Sequence, residues 1–321
     1  MIINKIKKYI FLIVLILSQF NFSGYTNTSP NSQKSNSEAM WRIPLQVGYL
    51  EASLSKNSVI PGECIQIKIN HTMSQDIMDF PTVSFEDQTI NFLKQKQNEY
   101  IGLIAINVKL KEGYHYIQIN LPHIIKKLPP PCLEIPIIIE KRKFGVTKLN
   151  VDNAKVDISD DDSKRIKHER IMLKKIYNNS PIKPLWDKPF VMPLRGISIS
   201  VPFGKMRVFN DTKTSRHYGV DLRGDIGVPV YATNKGKVVL AKELFYTGNC
   251  IIIDHGYSFF SIYAHLSAFF VKKGDTVETN QKIGAIGETG RVTGPHLHFG
   301  IKLNNIYLDP MLINDKMLFE Y

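Results

Sequence analysis

The residues with the clearest chemical potential are histidines and one aspartate in the last third of the chain. His217 and Asp221 stand four positions apart around Gly219, and would converge from a bent strand or loop. His296 and His298 stand two positions apart in a run that is typical of a strand, so their rings are expected on one face of a sheet. Neutral imidazoles with a carboxylate suit Zn²⁺ and leave one position open for water. The spacing therefore predicts a zinc site of the catalytic type.

The same region contains further polar residues that could belong to the site or to the core. His265, in the run Tyr263–Leu266, is a further histidine that could act on substrate and water. Tyr263 itself is predicted to be a packed strand residue. His255 precedes a glycine and Asp309 precedes a proline, so both are predicted to be structural and not ligands.

Residues 190–321 are predicted to form an all-β domain that positions these side chains. Glycine and β-branched residues dominate there, and helical periodicity is absent. The predicted strands are Gly236–Ala241, Cys250–Asp254, Phe259–Tyr263, Gln281–Ile286 and His296–Ile301.

Residues 42–142 are predicted to form a separate β-sandwich. Cys64–Ile69 and Tyr114–Leu121 alternate between apolar and polar residues, and Leu133–Ile139 is rich in β-branched residues. Short strands at regular spacing indicate an immunoglobulin-like sandwich. No catalytic constellation is visible in this segment.

The three cysteines leave two alternatives open. In an exported chain Cys64 and Cys132 could pair within the sandwich, and the odd number leaves at least one thiol free. No CxxC motif occurs, so a zinc site built from thiolates has no support.

Residues 143–189 are predicted to form a basic connector with a helix at about 160–177. Ser159 followed by three aspartates is typical of a helix start. Ile166, Ile171, Leu173 and Ile176 form a modest apolar stripe, which indicates packing on a neighbouring domain. Contact of this helix with a wall polymer or a membrane is the alternative. Residues 141–189 carry +6 of the net charge of +12, which argues against a nucleic-acid-binding face on a folded domain and suits an anionic cell wall or lipid surface.

The N-terminus is predicted to be an export signal. Residues 1–24 combine three lysines, a short apolar run and small residues, as a secretory signal peptide does. Residues 25–41 are polar and low in complexity, and are predicted to be a flexible tether. The protein is therefore expected in the periplasm or cell envelope, with an uncleaved membrane anchor as the alternative.

The C-terminal motifs together resemble the M23 family of zinc metallopeptidases, the LytM/lysostaphin type. The resemblance covers roughly residues 195–312. In order, the motifs are Arg216–Asp221, Thr247–Asn249, Ile253–Gly256, Tyr263–Leu266 and Gly287–Phe299, and Gly227–Val230 and Leu308–Pro310 also fit. The resemblance implies a LytM-type, lysostaphin-like fold for residues 190–321. The sandwich and the connector resemble the N-terminal regions of some bacterial wall peptidases more loosely.

The resemblance also implies residue roles. His217, Asp221 and His298 are the expected ligands of one Zn²⁺ per chain. His265 and His296 are the expected catalytic pair that does not bind the metal, and their division of labour stays open. Asp225 is close in sequence, but members of the family do not use this position for metal.

The implied function is that of a zinc-dependent endopeptidase. It would hydrolyse peptide bonds in peptidoglycan cross-links or stem peptides during cell-wall remodelling. The alternative is a non-catalytic LytM-type activator that binds the wall or another wall hydrolase, and a third interpretation is an adhesin-like protein centred on the sandwich. The expected partner is a peptidoglycan peptide, without nucleic acid, and the chain is expected to be a monomer. The bond that is cut, and whether another domain covers the groove, stay open.

Overall fold

The structure is a computed structural model that describes residues 39–44, 49–72, 81–121, 132–149, 159–196, 198–209 and 213–311. The predicted signal peptide (1–24) lies outside the described residues, as do residues 25–38 of the predicted tether. Within the described ranges, no helix has the length and apolar character needed to cross a membrane.

In the described part of the N-terminal half, ten strands form two five-stranded sheets. The strands are β1 (Ala39–Pro44), β2 (Tyr49–Leu54), β3 (Ser58–Val59), β4 (Cys64–His71), β5 (Thr82–Phe85), β6 (Gln88–Ile90), β7 (Phe92–Lys96), β8 (Glu99–Ala105), β9 (Gly113–Asn120) and β10 (Cys132–Ile139). The sheet orders are β1-β2-β4-β8-β7 and β3-β10-β9-β5-β6.

The two sheets share one apolar core. Ile67 on β4 and Ile117 on β9 are both fully buried and belong to the same cluster. Residues on β9 and β10 alternate between buried and exposed, as expected for sheets with one solvated face. The two-sheet architecture is thus present, and the immunoglobulin-like topology stays a prediction.

The cysteines of the sandwich do not form a disulfide in the structure. Cys64 is buried on β4, whereas Cys132 is exposed on β10 of the other sheet. The Cys64–Cys132 disulfide that the sequence left open is therefore not formed here.

The C-terminal half is built on a ten-stranded sheet. Its elements are β11 (Val146–Leu149), α1 (Asp160–Tyr177), β12 (Ile199–Val201), β13 (Met206–Phe209), β14 (Lys213–Arg216), β15 (Val220–Arg223), β16 (Pro229–Tyr231), β17 (Gly236–Leu244), β18 (Gly248–Asp254), β19 (Phe259–Phe269), β20 (Thr276–Val277), β21 (Lys282–Ile286), β22 (His296–Leu303) and β23 (Ile306–Leu308). The central order is β12-β15-β22-β19-β18-β17-β20, and β11-β13-β14 form a small separate sheet. The mainly β fold predicted from the sequence is confirmed.

Helix α1 packs on one face of the large sheet. The side chain of Ser159 caps it by accepting a hydrogen bond from the Asp162 amide at 3.1 Å. Tyr177 is buried against Phe260 of β19, with ring centroids 5.1 Å apart. The apolar stripe expected from the sequence is wrong at Ile171, which is 49% exposed, because the buried face of the helix runs through Tyr177 instead.

The sandwich contacts the C-terminal half through hydrogen bonds and a continuous apolar core. The Tyr257 hydroxyl accepts a hydrogen bond from the Leu103 amide at 3.1 Å and donates one to the Asn91 carbonyl. Arg142 forms an ion pair with Asp309. Apolar side chains from both halves lie in the same cluster: Cys64, Leu103, Ala105, Val108, Trp186, Phe190 and Phe259. All described residues belong to one compact unit, residues 38–321.

Candidate metal centre

Two adjacent strands carry the core of the site. Strands β15 and β22 pair antiparallel with Asp221 opposite His298. Because cross-strand partners lie roughly 5 Å apart, the two side chains meet on one face of the sheet. His217 comes from the turn between β14 and β15. The strand pairing therefore fixes two of the three side chains, and the turn supplies the third.

The three side chains converge on one point. His217 Nε2 lies 2.7 Å from Asp221 Oδ1, and His298 Nδ1 lies 2.9 Å from the same oxygen. The two nitrogens are 2.9 Å apart. Among the described residues, His217, Asp221 and His298 form the group of potential ligands whose donor atoms lie within 4.8 Å of one another. These are the three residues for which the sequence resemblance implies metal binding.

The donor set fits a divalent cation. Because a carbonyl oxygen can only accept, the contact of 3.1 Å between His217 Nδ1 and the Pro202 carbonyl places the ring proton on Nδ1. A neutral His217 therefore turns the Nε2 lone pair towards the carboxylate of Asp221 and the nitrogen of His298. A cation that accepts all three electron pairs satisfies this arrangement, and two imidazoles with one carboxylate are ligands that Zn²⁺ favours.

Gly219 gives the ring of His298 its space. A Cβ atom at this position would lie 2.8 Å from His298 Nε2 and 2.6 Å from the Phe299 carbonyl oxygen. Real Cβ atoms do not approach other atoms so closely, so a larger residue here would displace the ring or the backbone. The glycine between His217 and Asp221 is thus explained by close packing.

The electrostatics of the site favour an ionised Asp221 beside a neutral His298. Burial alone would raise the pKa of Asp221, but the polar contacts of its Oδ1 with the ring nitrogens of His217 and His298 hold that pKa far below its ordinary value. Burial lowers the pKa of His298, although its hydrogen bond to Asp221 acts in the opposite direction. A carboxylate and neutral imidazoles are the protonation states that bind metal.

A β-bulge aims His265 at the site. Asn249 pairs with Leu266 and Ile251 pairs with Tyr263, so two residues of β19, one of them His265, stand opposite one residue of β18. His265 has a φ of 65°, in the left-handed region. Its Nδ1 lies 2.8 Å from the Thr289 carbonyl, which leaves the lone pair on Nε2. Burial lowers the pKa of His265 to about 4, so the ring is neutral at neutral pH.

His296 lies beside the ligand group and shares this tautomer. Its Nδ1 is 2.8 Å from the Gly294 carbonyl, and its Nε2 is 3.7 Å from Asp221 Oδ1. The ring centroids of His296 and His265 are 4.9 Å apart. The structure thus brings all five residues singled out in the sequence into one cluster.

The remaining candidates of the sequence lie elsewhere. His255 is fully buried, with Nδ1 2.7 Å from the Lys235 carbonyl and Nε2 2.7 Å from Ser261 Oγ. Tyr263 is also fully buried, and its hydroxyl accepts from the Thr233 amide at 2.9 Å. These contacts agree with the structural roles predicted for both residues.

Sequence reasoning missed Arg207. Its Nη2 lies 3.6 Å from Asp221 Oδ2, whereas the rings of His217 and His298 contact Oδ1. Arg207 stands ten residues before His217 on β13, and no spacing rule connects it to the histidines. The signal in the sequence is only a basic residue in a short β-like run.

Comparison with known proteins points to one family. Residues 215–310 match the model of peptidase family M23. The peptidoglycan DD-endopeptidase ShyB of Vibrio cholerae serotype O1 is 44% identical over 95 residues, which are 30% of this chain and 22% of that protein. ShyA of the same organism, also a peptidoglycan DD-endopeptidase, is 41% identical over 120 residues, which are 37% of this chain and 28% of that protein.

A solved structure shares the fold over a longer stretch. The crystal structure of a peptidase M23 from Pseudomonas aeruginosa is similar with a TM-score of 0.55 and 24% identity, and covers 79% of this chain and 94% of that chain. The curated relatives are matched over only about a quarter of their own length. The segment that carries the histidine and aspartate cluster, residues 215–310, is thus similar to peptidase family M23 domains.

Proposed function

We propose that this chain is a zinc-dependent endopeptidase that hydrolyses peptide bonds in peptidoglycan cross-links or stem peptides. The observation that carries the proposal is the convergence of His217, Asp221 and His298 within 4.8 Å, with two further imidazoles beside them. Hydrolysis needs a polarised carbonyl, an attacking water and a group that takes its proton. The cluster contains residue types suited to each of these tasks.

His217, Asp221 and His298 would hold one Zn²⁺ per chain. When bound, zinc supplies a Lewis acid for the carbonyl and lowers the pKa of water towards about 7. Asp221 supplies the negative charge of the ligand set, and the Pro202 carbonyl keeps the Nε2 of His217 directed inwards. The register of β15 and β22 holds Asp221 and His298 together before any ligand arrives.

His265 and His296 would serve the proton transfers. Both rings donate their Nδ1 proton to a backbone carbonyl, so both keep a lone pair on Nε2. The neutral ring of His265 is in the form that accepts a proton from an attacking water. A ring that has gained this proton can then donate it, either to the oxyanion or to the leaving amine. Both rings are suited to accept or to donate the proton, and variants of each histidine would distinguish the two roles.

The relatives support the substrate class. Two of them are named peptidoglycan DD-endopeptidases. The match to the family model covers residues 215–310, which include all five site residues. A peptidoglycan substrate would require the protein to reach the cell envelope, in agreement with the predicted export signal. Residues 42–142 as a sandwich domain, residues 143–189 as a connector and a monomeric state belong to the same proposal.

The test is digestion of isolated sacculi and of defined cross-linked peptides by the purified chain. Zinc content is measured first, at an expected one ion per chain, and released fragments are identified by mass spectrometry. A chelator should abolish the cleavage, and added Zn²⁺ should restore it. Intact peptide bonds after incubation with the zinc-loaded protein would instead favour the activator interpretation, which the full set of site residues disfavours.

A further inference from the structure

We propose that Arg207 is a positioning residue of the metal centre: its guanidinium holds one oxygen of Asp221 and thereby keeps the other oxygen directed at His217 and His298. The inference rests on the proposed zinc function, since it concerns the same ligand. Arg207 itself lies outside the cluster of the five site residues.

The two oxygens of Asp221 have separate partners. Oδ1 contacts His217 Nε2 at 2.7 Å and His298 Nδ1 at 2.9 Å, whereas Oδ2 contacts Arg207 Nη2 at 3.6 Å. The Asp221 side chain is only 5% exposed, so few water molecules compete for its second oxygen. An ion pair at one oxygen of a carboxylate favours the orientation that keeps this contact. Arg207 therefore favours the orientation in which Oδ1 faces the two rings.

The backbone around Arg207 is held on both sides. Strand β13 lies between β11 and β14, with Arg207 opposite Thr147 on one side and opposite Ser215 on the other. Strand β14 ends at Arg216, directly before His217. The same small sheet thus places the guanidinium and the start of the turn that carries the first histidine. Because β11 comes from the segment that follows the sandwich, this segment contributes to the support of Asp221.

Positioning outweighs charge repulsion at this distance. A guanidinium near a divalent cation opposes metal binding, but Arg207 is 38% exposed and water and salt screen that repulsion. The contact with Asp221 Oδ2 acts directly on the ligand, over 3.6 Å. Partners of metal-binding side chains typically contribute about 10–100-fold to metal affinity or activity. Loss of Arg207 is therefore expected to weaken the site.

The experiment compares three variants of the full chain. Arg207→Gln removes the charge and the fork of donors, and Arg207→Lys keeps the charge but not the planar fork. Arg170→Gln is the matched control, because Arg170 is exposed on α1 and the charge change is the same. Zinc affinity is measured by competition with a chromogenic chelator, which needs no turnover. We expect a loss of about 10–100-fold for Arg207→Gln, a smaller loss for Arg207→Lys and no change for Arg170→Gln.

Two further readouts separate positioning from mere folding. In the cobalt-substituted protein, the visible absorption band should shift in Arg207→Gln and stay unchanged in Arg170→Gln, because that band reports the ligand arrangement. At saturating zinc, kcat should fall in Arg207→Gln while KM changes little. Circular dichroism of the zinc-free proteins monitors the fold, and if Arg207→Gln does not fold, Arg207→Lys alone decides.

The outcomes are distinct. Zinc affinity and a cobalt spectrum equal to wild type in Arg207→Gln would overturn the positioning role and leave the proposed function intact. If Arg207→Lys equals wild type in zinc affinity and in the cobalt spectrum, the positive charge is sufficient and the planar set of guanidinium donors is not required. A wild-type protein that takes up no zinc would overturn the proposed function and this inference together.

Discussion

Asp221 and His298 are direct cross-strand partners, with Oδ1 and Nδ1 2.9 Å apart. Backbone hydrogen bonds between β15 and β22 therefore fix their separation, and strand pairing alone places the two side chains next to each other. His217 reaches the same oxygen from a turn, at 2.7 Å. A site assembled in this way is largely preorganised, since two of its three proposed ligands lie on paired strands of the sheet.

Removal of a proposed ligand should remove the metal. His217→Ala or Asp221→Ala leaves two donors, so we expect zinc content to fall from one ion per chain to a residual level, and hydrolysis to be lost with it. Zinc is quantified in the purified protein by elemental mass spectrometry. Asp225→Ala is the control, because Asp225 is an exposed carboxylate four positions after Asp221. Full zinc content in the Asp221 variant would contradict the assignment.

Removal of the proton acceptor should separate metal binding from turnover. Asparagine tolerates the left-handed backbone at His265, where φ is 65°, and so changes the ring without adding strain. We expect His265→Asn to keep its zinc and to lose about 10²–10⁴-fold in kcat, the usual contribution of a positioned acid or base. His168→Asn, at an exposed site on α1, should behave as wild type. Loss of zinc in His265→Asn would show that this ring is a ligand instead.

The glycine between the first two ligands should be intolerant of a methyl group. Gly219→Ala places a Cβ 2.8 Å from His298 Nε2, so the ring or the adjoining backbone must shift. We expect weaker zinc binding and lower activity, measured by the same chelator competition as for Arg207. Gly145→Ala adds the same methyl group with its nearest neighbour at 3.9 Å, and should leave zinc affinity unchanged. Equal affinities of the two variants would disprove the steric argument.

The buried ring of His255 should make folding stability depend on pH. Burial lowers the pKa of His255 to about 4 in the folded state, whereas the unfolded chain takes up this proton near the ordinary value of about 6.5. Between these values the unfolded state binds more protons, so stability falls as the pH falls. The full effect corresponds to about 3 kcal/mol.

The measurement is urea unfolding of wild type and His255→Gln in the presence of a chelator, which removes metal release as a variable. The free energy of unfolding of wild type minus that of the variant should be largest at pH 7 and shrink by up to about 3 kcal/mol towards pH 4. Parallel curves for the two proteins would contradict the assignment of this pH dependence to His255.

The cluster of five residues could be anticipated because short-range rules govern much of it. Alternation along a strand puts His296 and His298 on one face, and the family motifs supply the remaining members of the set. The bulge at His265 could not be anticipated, because it depends on how β19 pairs with β18. No local sequence pattern distinguishes a regular strand from a bulged strand, in which two residues lie opposite one residue of the neighbouring strand.

Contacts between distant segments account for the other differences. Arg207 reaches Asp221 only because β13 is held between β11 and β14, and strand pairing of this kind leaves no trace in spacing. Cys64 and Cys132 both lie in strand-like runs, yet the fold puts them in different sheets. Asp309 was expected to be only a turn residue, and its ion pair with Arg142 was not foreseen.

The shared core of the two halves limits how the protein can be shortened. Trp186 packs against Phe190, Tyr257 and Phe259, and Leu103 of the sandwich belongs to the same cluster. A fragment that starts at residue 190 would lack the side chain of Trp186. It would expose to water the apolar residues that this side chain and the sandwich cover in the full chain. We expect such a fragment to precipitate or to be degraded quickly in the cell, so a soluble, working catalyst would have to retain both the sandwich and the helix.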